Sequence, residues 1–303
     1  MKILITGGFG YIGSNIAKKL IDENYHVTIV SKNNQTPQIL RNYNHKYTLF
    51  LENFSNDEVL KKIIPQQDII IHAAGTTVPE NSTQNPIYDV ESNLIPFLKL
   101  LESSVNSNVK QFIFLSSGGV VYGNTEVEKI TESHSTNPLS SYGITKLTCE
   151  KYLQLFNKLH QLNYTIFRIS NVYGPNQSFK NNQGVISSWI NKLKHDEDIE
   201  IWGNKNIVRD YIYIDDVTQA IFLAIKKNIT GLYNIGTEKG TSLNELANLI
   251  IDISGVNNKV IHKEFTRPFD VLYNVLDCKK YFKTCQWIAK TDLKEGLKKC
   301  LDI

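Results

Sequence analysis

A parallel α/β sheet covered by helices is the fold this sequence predicts, and two observations carry it. Short apolar runs alternate with amphipathic stretches through residue 169, and the first run leads directly into a glycine-rich turn that opens a helix.

The apolar runs at 2–6, 26–30, 47–51, 68–72, 111–116 and 164–169 are rich in Ile, Val, Phe and Leu. Continuous rather than alternating hydrophobicity marks strands buried on both faces, as in parallel sheets sandwiched by helices. Between them, residues 12–23, 57–64, 86–104 and 142–162 carry apolar side chains at helical spacing. After Pro175 the pattern loosens. A polar loop over 176–184 precedes a helix, short strands near 199–202 and 211–214, a further helix, a strand at 231–235 and a mixed C-terminal region. This order predicts a doubly wound parallel sheet with a smaller C-terminal substrate-binding lobe at the C-terminal edge of the strands, where open α/β folds bind ligands. The expected division gives residues 1–175 and about 205–236 to a dinucleotide-binding domain, and about 176–204 with 237–303 to the substrate lobe.

With 303 residues, 41% hydrophobic and 21% charged, the chain can bury a sizeable core without disulfides or metal. Lys+Arg 33 against Asp+Glu 30 leaves a net charge of +3. That balance, with no basic cluster or aromatic stacking motif, argues against a nucleic-acid partner. No segment approaches the roughly 20 apolar residues of a membrane helix. Met1 leads straight into a strand with no charged and apolar leader before it, so a cytoplasmic protein without a membrane partner is expected. Cys149, Cys278, Cys285 and Cys300 form no CxxC pair and no zinc spacing, which predicts reduced thiols and no metal.

Gly7-Gly8-Phe9-Gly10-Tyr11-Ile12-Gly13 joins the first strand to the first helix. Gly7, Gly10 and Gly13 allow a tight turn, close approach of the backbone to a pyrophosphate, and close helix–strand packing. The first-turn amides at Tyr11, Ile12 and Gly13 add donors and a positive dipole end. In this strand–turn–helix context the glycines mark a Rossmann dinucleotide site. An NAD site usually carries Asp or Glu at the end of the second strand, but here the chain reads Ser31-Lys32. A small hydroxyl followed by a cation would admit and attract the extra phosphate of NADP. NADP(H) is therefore the expected cofactor. NAD(H) stays open, because a serine beside a solvated loop lysine reads as simply.

Tyr142-Gly-Ile-Thr-Lys146 opens a predicted helix, and a spacing of four puts phenol and ammonium on one face. The ammonium favours the phenolate, so Tyr142 would exchange a proton with a substrate hydroxyl or ketone while hydrogen moves to or from a nicotinamide. Taken alone, the match reads equally as a surface pair. It gains specificity from following a strand that ends in Leu115-Ser116-Ser117-Gly118-Gly119.

Eight motifs lie in order over nearly the whole chain: TGGFGYIGS at 6–14, HAAG at 72–75, Asn93 in the next helix, SSGGVVYG at 116–123, SYGITK at 141–146, RISNVYGP at 168–175, VRDYIYIDD at 208–216 and RPFD at 267–270. On these residues the chain resembles the extended short-chain dehydrogenase/reductases, and within them the nucleotide-sugar epimerases, dehydratases and 4-ketoreductases. The resemblance implies Tyr142 for proton transfer, Lys146 on the nicotinamide ribose, and Asn93 supporting that lysine through the helix backbone and a water. It places Ala73, Ala74 and Gly75 beside the cofactor, and Thr77, Ser117 and Tyr142 at the sugar. Asn171, Arg209 and Arg267 match positions that bind the nucleotide diphosphate, where guanidinium forks suit phosphate. Arg209 could instead pair with Asp210 or Asp215, and Asn171 could be a turn residue. A homodimer through helices around 86–104 and 141–162 is also implied, with Leu153 and Phe156 available either to it or to the core.

The chain departs from the family pattern at three places. Gly118 stands where a catalytic Ser or Thr is expected, so the hydroxyl is assigned to Ser117, with Ser116 as the other choice. Ser31 replaces the acid of NAD binders. Asn53-Phe54 replaces the usual Asp beside the adenine, and an Asn carbonyl can still accept from the adenine amino group. Both leading reactions pass through a 4-keto sugar. Ser31-Lys32 and Gly118 lean toward NADPH-dependent reduction of an NDP-4-keto-6-deoxyhexose, such as dTDP-4-dehydro-6-deoxyglucose, to a fucose-type precursor of surface polysaccharide such as lipopolysaccharide. The alternative is an NAD-dependent 4-epimerase like UDP-glucose 4-epimerase. A dehydratase would need an acidic pair that Gly118-Gly119 lacks. A non-catalytic NADP-binding regulator would be expected to lose Tyr142 or Lys146, and the chain keeps both.

Overall fold

Every apolar run of the sequence becomes a strand. The strands among the described residues are, in chain order, β1 (Lys2–Thr6), β2 (His26–Ser31), β3 (Tyr47–Leu51), β4 (Ile69–His72), β5 (Gln111–Ser117), β6 (Tyr164–Ile169), β7 (Asn171–Tyr173), β8 (Ile199–Trp202), β9 (Val208–Tyr213), β10 (Gly231–Ile235), β11 (Gly240–Ser242), β12 (Val260–Lys263) and β13 (Tyr273–Asn274). Four of them, β7, β11, β12 and β13, the sequence did not mark. The computed structural model describes residues 1–178, 184–265 and 270–303. These fall into two units. One comprises Met1–Ser117, Ser140–Arg168 and Thr218–Tyr233, and the other Gly118–Leu139, Ile169–Val217 and Asn234–Ile303.

The first unit is built on a seven-stranded sheet in the order β10-β6-β5-β4-β1-β2-β3. Strands β1 to β5 run parallel, so the Rossmann expectation holds. The order reverses between β1 and β4, which puts the turn after β1 at the switch point where such sheets take ligands. Ile3, Ile5, Ile29, Ile70, Ile71 and Ile113 are fully buried. β-Branched side chains pack well on a pleated surface covered from both sides. On one face Leu4, Ile70, Phe112 and Phe114 form a core with Phe97, Leu100, Leu101 and Leu153 from the covering helices.

The helix expected over 86–104 is broken into two. Pro86–Asp89 is one short helix, Val90–Leu94 is a π-helical turn, and Ile95–Val105 resumes the α-helix. Pro96 supplies the reason: it has no N–H to give the preceding turn, so the chain relaxes there into a wider turn. The helix Ser141–His160 starts where the sequence placed it. Its cap is Ser140, whose hydroxyl accepts the Gly143 amide at 3.2 Å.

In the second unit β9 pairs with β11, β13 and β7, while β8 pairs with β12. Asp210, fully buried in β9, accepts the amide and hydroxyl of Thr237 at 2.9 and 2.7 Å and the Leu276 amide at 3.4 Å. Burial alone holds its carboxyl above the usual range, and these donors pull the other way. The helix Leu243–Ser254 begins with a reciprocal cap between Ser242 and Glu245. All four cysteines are free thiols. Among the described residues no helix is long and apolar enough to cross a membrane.

One buried charge pair ties the helix Ser141–His160 to β6 and β5. Arg168 Nη2 meets Glu150 Oε2 at 2.6 Å, with both side chains at or below 4% exposure, and Ser116 donates to the same carboxylate. Removing one partner strands the other charge, so Glu150→Leu should cost about 3–5 kcal/mol, read as a lower urea midpoint. The double change Glu150→Leu/Arg168→Met should recover most of that loss; equal midpoints for single and double variants would refute this account.

Candidate active site

The glycine turn after β1 is closed by its own backbone. Gly7 has φ +72°, its amide donates to the Val30 carbonyl at 3.0 Å, and its carbonyl accepts the Gly10 amide at 2.9 Å. A Cβ on Gly7 would lie 2.7 Å from Ala74 Cα, and one on Gly13 only 2.3 Å from the Gly7 carbonyl oxygen. The turn can close against Ala74, and the helix can start against the turn, only because these side chains are missing. Tyr11, Ile12 and Gly13 form the first turn of the helix Tyr11–Asp22, which carries no acidic residue there. Residues and geometry fit a dinucleotide.

At the end of β2 the Ser31 hydroxyl is engaged locally, donating to the Asn33 carbonyl at 3.1 Å and accepting the Asn33 amide at 3.0 Å. Lys32 is exposed. The Asn53 side-chain carbonyl likewise accepts the Ser55 amide at 3.2 Å, which leaves one lone pair for an adenine amino group. Phe54 is 7% exposed and packs edge-on to His72.

His72, at the end of β4, is buried among Phe54, Phe97, Phe112 and Phe114. Its Nδ1 lies 2.8 Å from the Thr6 hydroxyl. Burial, and secondarily the Lys146 ammonium, push its pKa down to about 3, so the ring is neutral. The next residue, Ala73, donates its amide to the Thr6 carbonyl at 3.1 Å, which carries Ala74 and Gly75 alongside the glycine turn.

Tyr142 and Lys146 occupy the first turns of the helix Ser141–His160. Lys146 Nζ donates to the Leu115 carbonyl at 2.9 Å and stands 4.9 Å from the Phe114 ring centre and 5.7 Å from that of Tyr142. The Tyr142 amide donates to the buried Ser82 hydroxyl at 3.0 Å. Ala74, Asn93, Phe114, Tyr142 and Lys146 line one small cavity together with Cys149. The Cys149 thiol is pushed up to about 12, chiefly by burial.

The two adjacent serines separate cleanly. Ser116 points into the core at Glu150, whereas Ser117, half-buried at the end of β5, makes no side-chain hydrogen bond within the described residues. Alternation along a strand sends neighbours to opposite faces.

Asn93 sits in the π-helical turn. Its Oδ1 accepts the Thr76 amide at 2.9 Å, and its Nδ2 donates to Thr77 Oγ1 and Asp89 Oδ1, each at 3.0 Å. Its side chain therefore shapes the loop after β4. Thr77 is 4% exposed, and its hydroxyl also donates to Asp89, so it faces the scaffold. Asp89 is the residue that sequence reasoning passed over. It is fully buried and also accepts from Ser141 and Thr145. Nothing local marks it, because its partners come from separate segments.

In the second unit, Asn171 Nδ2 donates to the Asp210 carbonyl at 3.3 Å from β7. Arg209 is half-buried in β9 and donates to the Val208 carbonyl at 3.0 Å. Asp210 turns instead to Thr237, and no ion pair holds Arg209 among the described residues. Desolvation pulls the Arg209 pKa below its ordinary value. Arg267 lies outside the described residues.

Comparison with known proteins agrees with this geometry. The sequence model of the NAD dependent epimerase/dehydratase family matches residues 3–236. A Methanocaldococcus jannaschii protein named "Putative UDP-glucose 4-epimerase" is 37% identical, covering 99% of this chain and 97% of its own. The Escherichia coli dTDP-4-dehydro-6-deoxyglucose reductase is 29% identical over 99% of this chain and 96% of its own. The UDP-glucose 4-epimerase of Thermotoga maritima, solved with UDP-glucose, superposes with a TM-score of 0.93 at 35% identity, covering 100% and 98% of the two chains.

The neutral His72 makes stability depend on pH. The unfolded chain protonates this ring as pH falls through 6.5, while the folded ring resists until about 3. Its contribution is complete above pH 6.5 and declines on acidification, by about 2 kcal/mol at pH 5. The melting temperature of His72→Leu should consequently fall less than that of the wild type between pH 7 and pH 5 in calorimetry; equal falls would contradict the assignment.

Proposed function

The chain belongs to the NAD dependent epimerase/dehydratase family, and from that premise we propose that it is an NAD-dependent 4-epimerase of UDP-hexoses. It is a pyridine-nucleotide enzyme of nucleotide-sugar chemistry. The observation that carries the epimerase over the ketoreductase is the full-length likeness, at 37% and 35% identity, to two proteins named for that activity. The locally closed Ser31 hydroxyl supports NAD over NADP, since its lone pair and proton already serve Asn33.

In this reading the first unit holds the dinucleotide on the glycine turn, with Asn53, Phe54 and Ala73 to Gly75 along it. A bound nicotinamide would supply the acceptor, and later the donor, for the hydride that C4 gives up. Tyr142 Oη accepts the O4 proton as the C4–H and O4–H bonds break, and C4=O results. The same oxygen returns the proton after the keto sugar has turned over. Lys146, with Nζ 5.7 Å from the Tyr142 ring centre, would orient the nicotinamide ribose and assist the phenol in proton transfer. Ser117 donates to O4, its hydroxyl being the one not engaged elsewhere. Asn171 and Arg209, with Arg267, take the diphosphate. The half-buried Arg209 suits this role because its remaining donors want an anion.

A second reading, 4-ketoreduction of a dTDP-4-keto-6-deoxyhexose with NADPH, is favoured by Gly118 in the usual hydroxyl position and by the reductase relative. The enzyme works as a homodimer through the helices about 86–105 and 141–160. Ile87 at 71%, Ile144 at 55% and Leu159 at 63% exposure offer apolar surface there. Leu153 belongs to the core instead, and Phe156 packs against it.

Purified protein given UDP-glucose should form UDP-galactose without added cofactor and with no net change in absorbance at 340 nm. Tyr142→Phe should lower kcat by about 100-fold or more. Stoichiometric oxidation of NADPH by dTDP-4-dehydro-6-deoxyglucose, with UDP-glucose inert, would replace the epimerase by the reductase. In light scattering the protein should run at twice its chain mass, and a monomer would remove the dimer.

A further inference from the structure

We propose that Asp89 is a positioning residue that fixes the rotation of the helix Ser141–His160 about its axis and so aims Tyr142 and Lys146. The proposal rests on the roles given above to those two side chains.

Asp89 ends the short helix Pro86–Asp89 and is fully buried. Each carboxylate oxygen takes two donors. Oδ1 accepts the Thr77 hydroxyl and Asn93 Nδ2, the latter at 3.0 Å. Oδ2 accepts the hydroxyls of Ser141 at 2.8 Å and Thr145 at 2.7 Å. A carboxylate is the one side chain that accepts at every position, and four charge-assisted hydrogen bonds offset the cost of burying it.

The spacing gives the arrangement its consequence. Ser141 and Thr145 are four apart, on one helix face, and each immediately precedes a residue of the catalytic pair. Tyr142 and Lys146 therefore stand about 100° round the helix from the two anchored residues. Glu150 holds the helix two turns further on, and a single hydroxyl on Asp89 would constrain its first turn less than a pair does. Two anchors a turn apart, both on Oδ2, fix the angle. A rotation of about 15° would carry an atom about 8 Å from the axis by about 2 Å, more than proton transfer tolerates. Through Oδ1 the same carboxylate sets the Thr77 hydroxyl and Asn93, so three segments of the site share one reference point.

The test compares Thr145→Val, which removes one anchor at constant shape, and Ser141→Ala/Thr145→Val, which removes both, with Thr145→Ser, which keeps the hydroxyl. Readouts are kcat and KM for UDP-glucose, Kd for NADH by fluorescence titration, and melting temperature. The double variant should lose about 100-fold in kcat with KM within about 3-fold, and NADH affinity should fall about 10-fold as Lys146 leaves the ribose. Thr145→Val should lose part of each, and Thr145→Ser should stay near wild type. A lowered melting temperature with kcat and NADH affinity unchanged would make the network purely structural and overturn the proposal, as would a Ser variant as impaired as the Val variant. Should the double variant fail to fold, Thr145→Val against Thr145→Ser decides. If the wild type converts no UDP-glucose, the epimerase reading fails, and NADH affinity alone decides whether Asp89 aims the pair.

Discussion

Everything in the first unit is arranged around a place where no side chain fits. The chain leaves β1 through Gly7 in a left-handed conformation and passes so near the backbone of Ala74 that a methyl group there would overlap it. Because β1 and β4 are neighbours at the point where the strand order reverses, this contact joins the two segments that border the dinucleotide turn. The in-register pairing of β1 with β2 and β4 brings the two strand ends side by side, so the turn after β1 and the loop after β4 leave the sheet together. Glycine is the one residue that permits both the angle and the distance.

Three fully buried carboxylates, Glu150 and Asp89 in the first unit and Asp210 in the second, each hold their own surroundings, and each solves the cost of burial differently. Glu150 has a guanidinium and a hydroxyl. Asp89 has only neutral donors, four of them from side chains. Asp210 relies largely on backbone amides, with a threonine hydroxyl. In a medium of low polarity, hydrogen bonds to an ion are strong and directional, and a partner removed is expensive. Such groups suit joints between segments that must keep one geometry, and apolar packing, which is tolerant of sliding, does not.

The strands and the paired Tyr142 and Lys146 were legible in the sequence because both signals are local. Continuous hydrophobicity marks a strand buried on two faces, and a spacing of four marks a helix face. The sequence does not tell Ser116 from Ser117, because their difference in the fold is a partner 34 residues away: Ser116 donates to Glu150. The π-helical turn before Pro96 broke an expected single helix, since apolar periodicity continues across it. Asp89 was invisible for a related reason. Its partners lie between 4 and 56 residues away, and no window of sequence contains them all. The lean toward NADP came from Ser31-Lys32 read as a pair pointing at one phosphate. In the fold the serine closes on its own loop, and a residue type says nothing of where its hydrogen bonds go.

Cys149, three residues beyond Lys146 and lining the same cavity, would look from its position like a weak point for oxidation. Burial keeps it a thiol up to about pH 12, and the thiolate is the form that alkylating agents and peroxides attack. Cys300 is likewise held up to about 12, and Cys278 is raised well above its ordinary range. The sulfur beside the cavity is thus held in its less nucleophilic form by the same packing that surrounds Lys146.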